Sequence, residues 1–103
     1  MIAEISIVPF GKSLSLSRSI ARILRLIDDS GLDYRLGPMG TCIEGDFDEV
    51  MALISRCHKQ MRKESARVMT TIKIDDRKGI RRGLAAKVRA VVRKSGRSLK
   101  TAI

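Results

Sequence analysis

The sequence predicts one α+β domain in which two helices cover one face of a four-stranded antiparallel sheet. Its 103 residues are enough for one hydrophobic core and too few for two. Segments with apolar residues at every second position alternate with segments that space them by three and four. The resulting order, β-α-β-β-α-β and a third helix, is the ferredoxin-like layout with sheet order 4-1-3-2. We expect residues 1–94 to form the domain and residues 95–103 a flexible basic tail.

The first strand and helix are predicted in residues 2–31. Residues 2–8 alternate as a strand does, and Pro9 is expected to end that strand. A helix then ends at Gly31. Its candidate N-caps are Ser13, Ser15 and Ser17. Its apolar stripe consists of Leu16, Ile20, Ile23, Leu24 and Ile27.

A hairpin and a second helix follow. Residues 33–37 and 40–45 read as strands around Gly37-Pro38-Met39-Gly40, a composition that favours a turn. Asp46 and Glu49 have the spacing of a capping box, which starts the second helix. The apolar stripe of that helix is Phe47, Val50, Ile54, Cys57 and Met61.

The last strand and helix complete the pattern. Residues 67–75 alternate again, and a short amphipathic helix before Ser95-Gly96 carries Leu84, Val88, Val91 and Val92. In the predicted register, the helices bury one face of the sheet. That face consists of Ala3, Ile5, Ile7, Ile43, Val68, Thr70, Ile72 and Ile74.

Composition narrows the class of protein. Three aromatic residues and no Trp predict an aliphatic core and exclude a mechanism that needs aromatic stacking platforms, and the lack of Asn excludes a catalytic Asn. No apolar run approaches the roughly 20 residues that span a bilayer. With two cysteines and no leader pattern before the first strand, we expect a soluble cytoplasmic protein with reduced thiols.

The second face of the predicted sheet mixes apolar and polar residues. It can be a hydrated surface with ion pairs from Glu4 or Glu44 to Lys73. It can also be covered by another subunit and retain polar groups for a small ligand, which predicts a homo-oligomer. The residues on this face are Ile2, Glu4, Ser6, Val8, Cys42, Glu44, Met69, Thr71, Lys73 and Asp75.

Three segments resemble a known family. They are Ala3-Glu4-Ile5-Ser6-Ile7-Val8-Pro9 with Gly11, Gly37-Pro38-Met39-Gly40-Thr41-Cys42-Ile43-Glu44-Gly45, and Thr70-Thr71-Ile72-Lys73-Ile74-Asp75-Asp76-Arg77. Together they are similar to the signature strands of the small thiamine-binding proteins of the YkoF-like superfamily, over residues 2 to about 94. The resemblance implies dimers and tetramers formed through the sheets. It also implies binding of thiamine or its hydroxymethylpyrimidine moiety, as a ligand and without catalysis.

The chemistry of this ligand suits the second face. An aminopyrimidine offers ring acceptors and an exocyclic donor, and thiazolium is cationic, so carboxylates and hydroxyls can satisfy both rings. We expect Glu4 and Glu44 to accept hydrogen bonds and Gly40 to let a ring approach the backbone. The predicted ligand site is Glu4, Ser6, Met39, Gly40, Thr41, Glu44, Thr71 and Lys73.

Other motifs carry little chemistry. Gly11-Lys12-Ser13 lacks the first glycine of a phosphate loop, since Ser6 stands there, although the loop could still bind an anion. His58 is the one histidine and is expected to be a solvated helix residue. With Cys42 and Cys57 on different elements, neither a zinc site nor a nucleophilic set is predicted. We expect no metal, no cofactor and no enzymatic activity.

The charge is concentrated at one end of the chain. All eleven acidic residues lie in residues 1–76, where eleven Lys and Arg balance them, so the last 27 residues carry the whole net charge of +10. This departs from the family pattern and suggests an alternative role, association with nucleic acid. The favoured interpretation is that the third helix docks through its apolar stripe and its cations remain solvated. The basic residues are Arg77, Lys78, Arg81, Arg82, Lys87, Arg89, Arg93, Lys94, Arg97 and Lys100.

Overall fold

The computed structural model describes residues 1–11, 16–79 and 83–102. The predicted order of elements is confirmed. The elements are β1 Ile2–Phe10, α1 Leu16–Asp29, β2 Asp33–Leu36, β3 Thr41–Glu44, α2 Phe47–Glu64, β4 Arg67–Asp75 and α3 Leu84–Ser95. Within the described ranges, no helix is long and apolar enough to cross a membrane.

The four strands form one antiparallel sheet in the order β2-β3-β1-β4, which confirms the predicted topology. The strand β1 pairs with β4 along its whole length, from Ile2 opposite Asp75 to Phe10 opposite Arg67. On its other side, β1 pairs with β3 only as far as Ile5, which lies opposite Thr41. The second half of β1 therefore has one neighbouring strand instead of two.

Pro9 does not end β1, contrary to the prediction, because the strand continues through Phe10. Met1 and Gly45 exchange both backbone hydrogen bonds, so the odd-numbered residues of β1 direct their N–H and C=O groups towards β3. The strand β3 does not extend as far as Pro9. A residue without an N–H is accepted there because no ladder hydrogen bond is lost.

The core lies between the sheet and the two helices α1 and α2 and contains no aromatic residue, as predicted. Its largest fully buried side chains are Ile27, Ile43, Val50, Leu53, Cys57 and Met61. The prediction that Ile72 and Ile74 of β4 are core residues is wrong. Both lie on the helix-covered face, but they are 38% and 41% exposed. They belong to an edge strand, whose outer side lacks a neighbour to cover it. Phe47, at the first turn of α2, is also exposed, and Leu53 takes its place in the core.

The helix ends agree with the sequence in part. Gly31 and Gly96 have positive φ angles of 77° and 69°, which glycine adopts without steric cost, and they follow α1 and α3. Ser17 lies inside α1 and cannot be its N-cap, whereas Ser13 and Ser15 lie outside the described residues. Asp46 is the N-cap residue of α2, but its side chain makes no capping hydrogen bond, so the predicted capping box does not form.

The third helix packs on the second face of the sheet, against β2 and β3. Leu84 is buried there, and the Lys87 ammonium pairs with the Asp75 carboxylate at the end of β4. Val91, which the sequence assigned to the docked stripe, is instead 62% exposed. The second face is thus covered over β2 and β3 and open over β1 and β4, where Val8, Phe10 and Met69 remain exposed.

Candidate functional site

A cavity of about 260 Å³ lies beside the second half of β1, next to Thr41 at the start of β3. Its floor is β1 from Ile5 to Val8, one wall is α1, and the other wall is the turn from Gly37 to Thr41. The turn is closed by a hydrogen bond of 2.8 Å from the Gly37 N–H to the Gly40 carbonyl. The cavity exists because β3 is four residues long while β1 is nine.

The backbone of Ile7 faces this cavity. Its N–H and C=O point to the side of β3, by the same alternation that places Pro9, and among the described residues no strand pairs with β1 there. On a free strand edge, the N–H donor and the C=O acceptor of one residue point the same way. Their spacing is about that of the donor and acceptor on one edge of a planar amide. The walls supply apolar surface, since Ile20, Leu24 and Leu36 line the cavity.

Glu4 connects the cavity to the second face. A Cβ atom on Gly40 would lie 3.0 Å from the Ile5 carbonyl oxygen and 3.4 Å from Cγ of Glu4, so only glycine lets the turn come this close to β1. The Glu4 carboxylate lies 3.8 Å from the Lys73 ammonium, which confirms the pairing predicted for Glu4. Lys73 is not paired with Glu44, the other carboxylate considered for it. Both partners of this ion pair are largely exposed, so it contributes little to stability.

Cys42 lies next to Glu4 on the same face. Its thiol donates to the Glu4 carboxylate across 3.8 Å, and the two residues are opposite each other in the β1–β3 register. Partial burial raises the pKa of the Cys42 thiol, and the negative charge and hydrogen bond of Glu4 raise this pKa further. The thiol is therefore a weak hydrogen-bond donor and a poor nucleophile.

The predicted site residues fall into two groups. Ser6, Met39, Gly40 and Thr41 line the cavity, and Glu4 touches Gly40 at its border. Thr71 is opposite Ser6 and Lys73 is opposite Glu4 on the neighbouring strand. Glu44 lies farther along β3, opposite Ile2 and Asp33, and is 94% buried.

Sequence reasoning missed the α1 wall and the free backbone of Ile7. The signal was present in the lengths of the predicted strands, because residues 40–45 cannot pair with all of β1 when Met1 meets Gly45. The α1 residues of the wall were assigned to the core instead. Lys12 and Ser13, considered for anion binding, lie outside the described residues.

His58 and Cys57, the other residues considered for catalysis or metal binding, are in structural positions. His58 is half-buried and not solvated as expected: its Nδ1 lies 2.6 Å from the Thr70 hydroxyl, because that face of α2 is turned towards β4. Burial raises the pKa of Cys57 to about 11. In the part of the chain that the structure describes, no three His, Cys, Asp or Glu side chains are grouped as metal ligands.

Comparison with known proteins identifies the family. The family model described as thiamine-binding protein matches residues 3–92. This chain belongs to that family. It is 38% identical to a UPF0045 protein of Methanothermobacter thermautotrophicus over 95 residues, covering 89% of this chain and 96% of the relative. It is 31% identical to UPF0045 protein MJ1052 of Methanocaldococcus jannaschii over 91 residues, covering 88% and 91% of the two chains.

Solved structures of family relatives share the fold. The crystal structure of MJ1052 matches with a TM-score of 0.80 at 31% identity, covering 87% of this chain and 93% of that one. A Thermotoga maritima protein proposed to act in thiamine biosynthesis or salvage matches with a TM-score of 0.77 at 26% identity, covering 87% and 96%. This chain therefore shares its ferredoxin-like fold with both solved structures.

Proposed function

We propose that this protein binds thiamine or its hydroxymethylpyrimidine moiety, without turnover, in the cavity beside the second half of β1. Membership of the thiamine-binding protein family supports the ligand class. The observation that carries the proposal is the meeting of the free Ile7 backbone with four predicted site residues in a cavity of about 260 Å³. Two free cysteines agree with a cytoplasmic location.

The aminopyrimidine ring matches the edge of β1. Its ring nitrogen accepts from the Ile7 N–H, and its exocyclic amino group donates to the Ile7 carbonyl, as a neighbouring strand would. Ile20 and Leu24 of α1 and Leu36 of β2 cover the ring, which buries apolar surface. In thiamine, the cationic thiazolium ring then extends towards the Glu4 carboxylate at the border of the cavity.

The remaining side of the site is closed by a second copy of the chain in this proposal. Ser6 and Val8 lie both on the cavity and on the open half of the second face. Val8, Phe10 and Met69 leave that half apolar enough for two sheets to stack. Stacking there would place the bound ring between protomers, in a dimer or a tetramer.

Isothermal titration with thiamine, hydroxymethylpyrimidine and oxythiamine tests the ligand and its orientation. Oxythiamine carries an oxo group in place of the exocyclic amine, so in the same orientation its exocyclic group cannot donate to the Ile7 carbonyl. We expect thiamine and the free pyrimidine to bind and oxythiamine to bind at least about tenfold more weakly. Equal affinity for thiamine and oxythiamine would contradict the backbone pairing, and failure of all three to bind would overturn the function.

Variants locate the carboxylate that meets thiazolium. Replacing Glu4→Gln should weaken thiamine about tenfold and leave the free pyrimidine unchanged, because the pyrimidine carries no cation. Glu49→Gln on the exposed side of α2 is the matched control and should leave both affinities unchanged. If Glu44→Gln weakens thiamine binding and Glu4→Gln does not, the ligand lies beside Glu44 under α3 and not in the cavity beside the second half of β1. Native mass spectrometry of the same samples gives the stoichiometry.

A further inference from the structure

A second concave surface lies between α3 and the sheet. It encloses about 460 Å³ and has Arg35 of β2 on one side and Arg89 and Arg93 of α3 on the other. Val88, Val92 and Leu99 form apolar parts of its walls. We call this surface the arginine groove. It is separate from the cavity beside the second half of β1, since the two share no lining residue among those described.

The charge of the groove is uneven. The Arg35 guanidinium is held 2.6 Å from the Asp33 carboxylate and 2.6 Å from the Tyr34 carbonyl, so its charge is largely compensated. Arg89 and Arg93 are one helical turn apart on α3, which contains no acidic residue. Among the described residues, no carboxylate lies within ion-pair distance of either one. Two like charges therefore lie one helical turn apart on the groove side of α3, and an anion bound between them would reduce their repulsion.

We propose that the arginine groove binds a small phosphate monoester with an apolar body. At neutral pH, a phosphate monoester carries a charge close to −2, which matches the two uncompensated guanidinium groups. Guanidinium forks bind phosphate oxygens in pairs, a geometry that lysine cannot provide. The apolar walls require a ligand with more than the phosphate itself, because inorganic phosphate would leave Val88, Val92 and Leu99 without a partner.

The groove shape favours a small ligand over a nucleic acid. A nucleic-acid backbone is bound by cations spread along a surface, and each cation contributes about equally to the salt dependence. Here the cations converge on one concavity with apolar walls. Other cations of α3 and the tail, such as Lys94 and Arg97, do not line it.

Fluorescence and calorimetric titrations of the full chain with 1-naphthyl phosphate, 1-naphthol, inorganic phosphate and a single-stranded RNA 20-mer test the proposal. We expect 1-naphthyl phosphate to bind at least about tenfold more tightly than inorganic phosphate or 1-naphthol. The double variant Arg89→Gln/Arg93→Gln should lose at least about tenfold in affinity for 1-naphthyl phosphate. The control Lys94→Gln/Arg97→Gln removes the same charge from the same end of the chain and should change it less than about twofold.

Two results would overturn the proposal. Equal losses in the two double variants would show that the whole basic region attracts anions without a specific site. Tighter binding of RNA than of 1-naphthyl phosphate, reduced equally by both double variants, would assign the region to nucleic acid. Circular dichroism of both variants at the α-helical minimum checks that α3 is retained, and Arg89→Lys/Arg93→Lys, which keeps the charge, should restore only part of the affinity.

Discussion

The two halves of β1 share one strand and have different surroundings. From Ile2 to Ile5, the strand lies between β3 and β4, and its inward side chains Ala3 and Ile5 are almost fully buried. From Ser6 to Phe10, it has β4 alone, and its outward side chains Val8 and Phe10 are exposed. The first half is a scaffold, and the second half is the part of β1 to which the proposed function assigns the ligand.

The difference follows from the length of β3. The four residues of β3 pair with the first half of β1. The turn from Gly37 to Gly40, which precedes β3 in the chain, leads away from the second half. The second half is still held in place at its far end. The buried Ser65 hydroxyl contacts the carbonyl of Phe10 and lies 2.8 Å from that of Arg67, which joins β1, α2 and β4. These contacts fix the far end of the strand edge, which would reduce the cost of ordering a binding surface there.

The largest contrast between the halves is expected in stability. Ile43→Ala removes a fully buried side chain opposite Ala3 and should lower the free energy of unfolding by about 3 kcal/mol. Val8→Ala, in the second half, should lower it by less than about 1 kcal/mol, since Val8 is 37% exposed. Urea denaturation at one protein concentration measures both. Equal losses would show that the second half is as much a part of the scaffold as the first.

A smaller effect is expected where the halves meet. Gly40→Ala forces a Cβ to within 3.0 Å of the Ile5 carbonyl, a backbone atom of a central strand that cannot move freely. We expect a loss of about 1–2 kcal/mol in the free energy of unfolding and a weaker affinity for thiamine, because the turn is pushed away from β1. Gly83→Ser, at the N-cap of α3 with open space around it, is the control and should be neutral or slightly stabilising.

The two cysteines should differ in reactivity, because Cys57 lies in the core and Cys42 lies opposite Glu4 in the first half of β1. With a pKa of about 11, Cys57 is roughly one part in three hundred thiolate at pH 8.5 and should resist iodoacetamide until the protein unfolds. Cys42 should react, but more slowly than a free peptide thiol, since burial and Glu4 both raise its pKa.

Glu4→Gln separates these two causes. It removes the charge of Glu4 and leaves the burial, so the pKa of Cys42 should fall and its alkylation at pH 8.5 should become faster. Lys73→Met should have the opposite effect, because the Lys73 charge lowers that pKa. Peptide mass spectrometry of timed samples measures both rates. An unchanged rate in Glu4→Gln would mean that Glu4 does not face the thiol in solution.

The sequence predicted the scaffold better than the site for a physical reason. Alternation and helical spacing report which side of an element is buried, and this was enough for the sheet order and for Ala3, Ile5 and Ile43. They do not report where a neighbouring strand stops. The prediction that Pro9 ends β1 is wrong for this reason, because β3 does not extend far enough to need a hydrogen bond from that residue. The same limit explains Ile72 and Ile74, whose pattern is that of core residues but whose strand lies at the edge of the sheet.

The smallest effect is expected at the ion pair between Lys87 of α3 and Asp75 of β4, next to the first half of β1. The hydrogen bond and charge of Lys87 hold the pKa of Asp75, which lies opposite Ile2, below its usual value of 3.8. Because the pKa is lower in the folded state, this contact stabilises the protein above about pH 4, and the stabilisation is lost as the pH falls through the folded pKa. Both side chains are exposed, so little stability depends on the pair.

Lys87→Met should therefore raise the pKa of Asp75 towards 3.8 in an NMR titration of its carboxyl carbon and speed hydrogen exchange in the first turns of α3. Arg89→Met is the matched control, since it removes a cation from the same helix without contacting Asp75. An equal shift in both variants would mean that Asp75 senses the net charge of α3 and not the contact with Lys87. In that case α3 is held over β2 and β3 by Leu84 and its apolar neighbours alone.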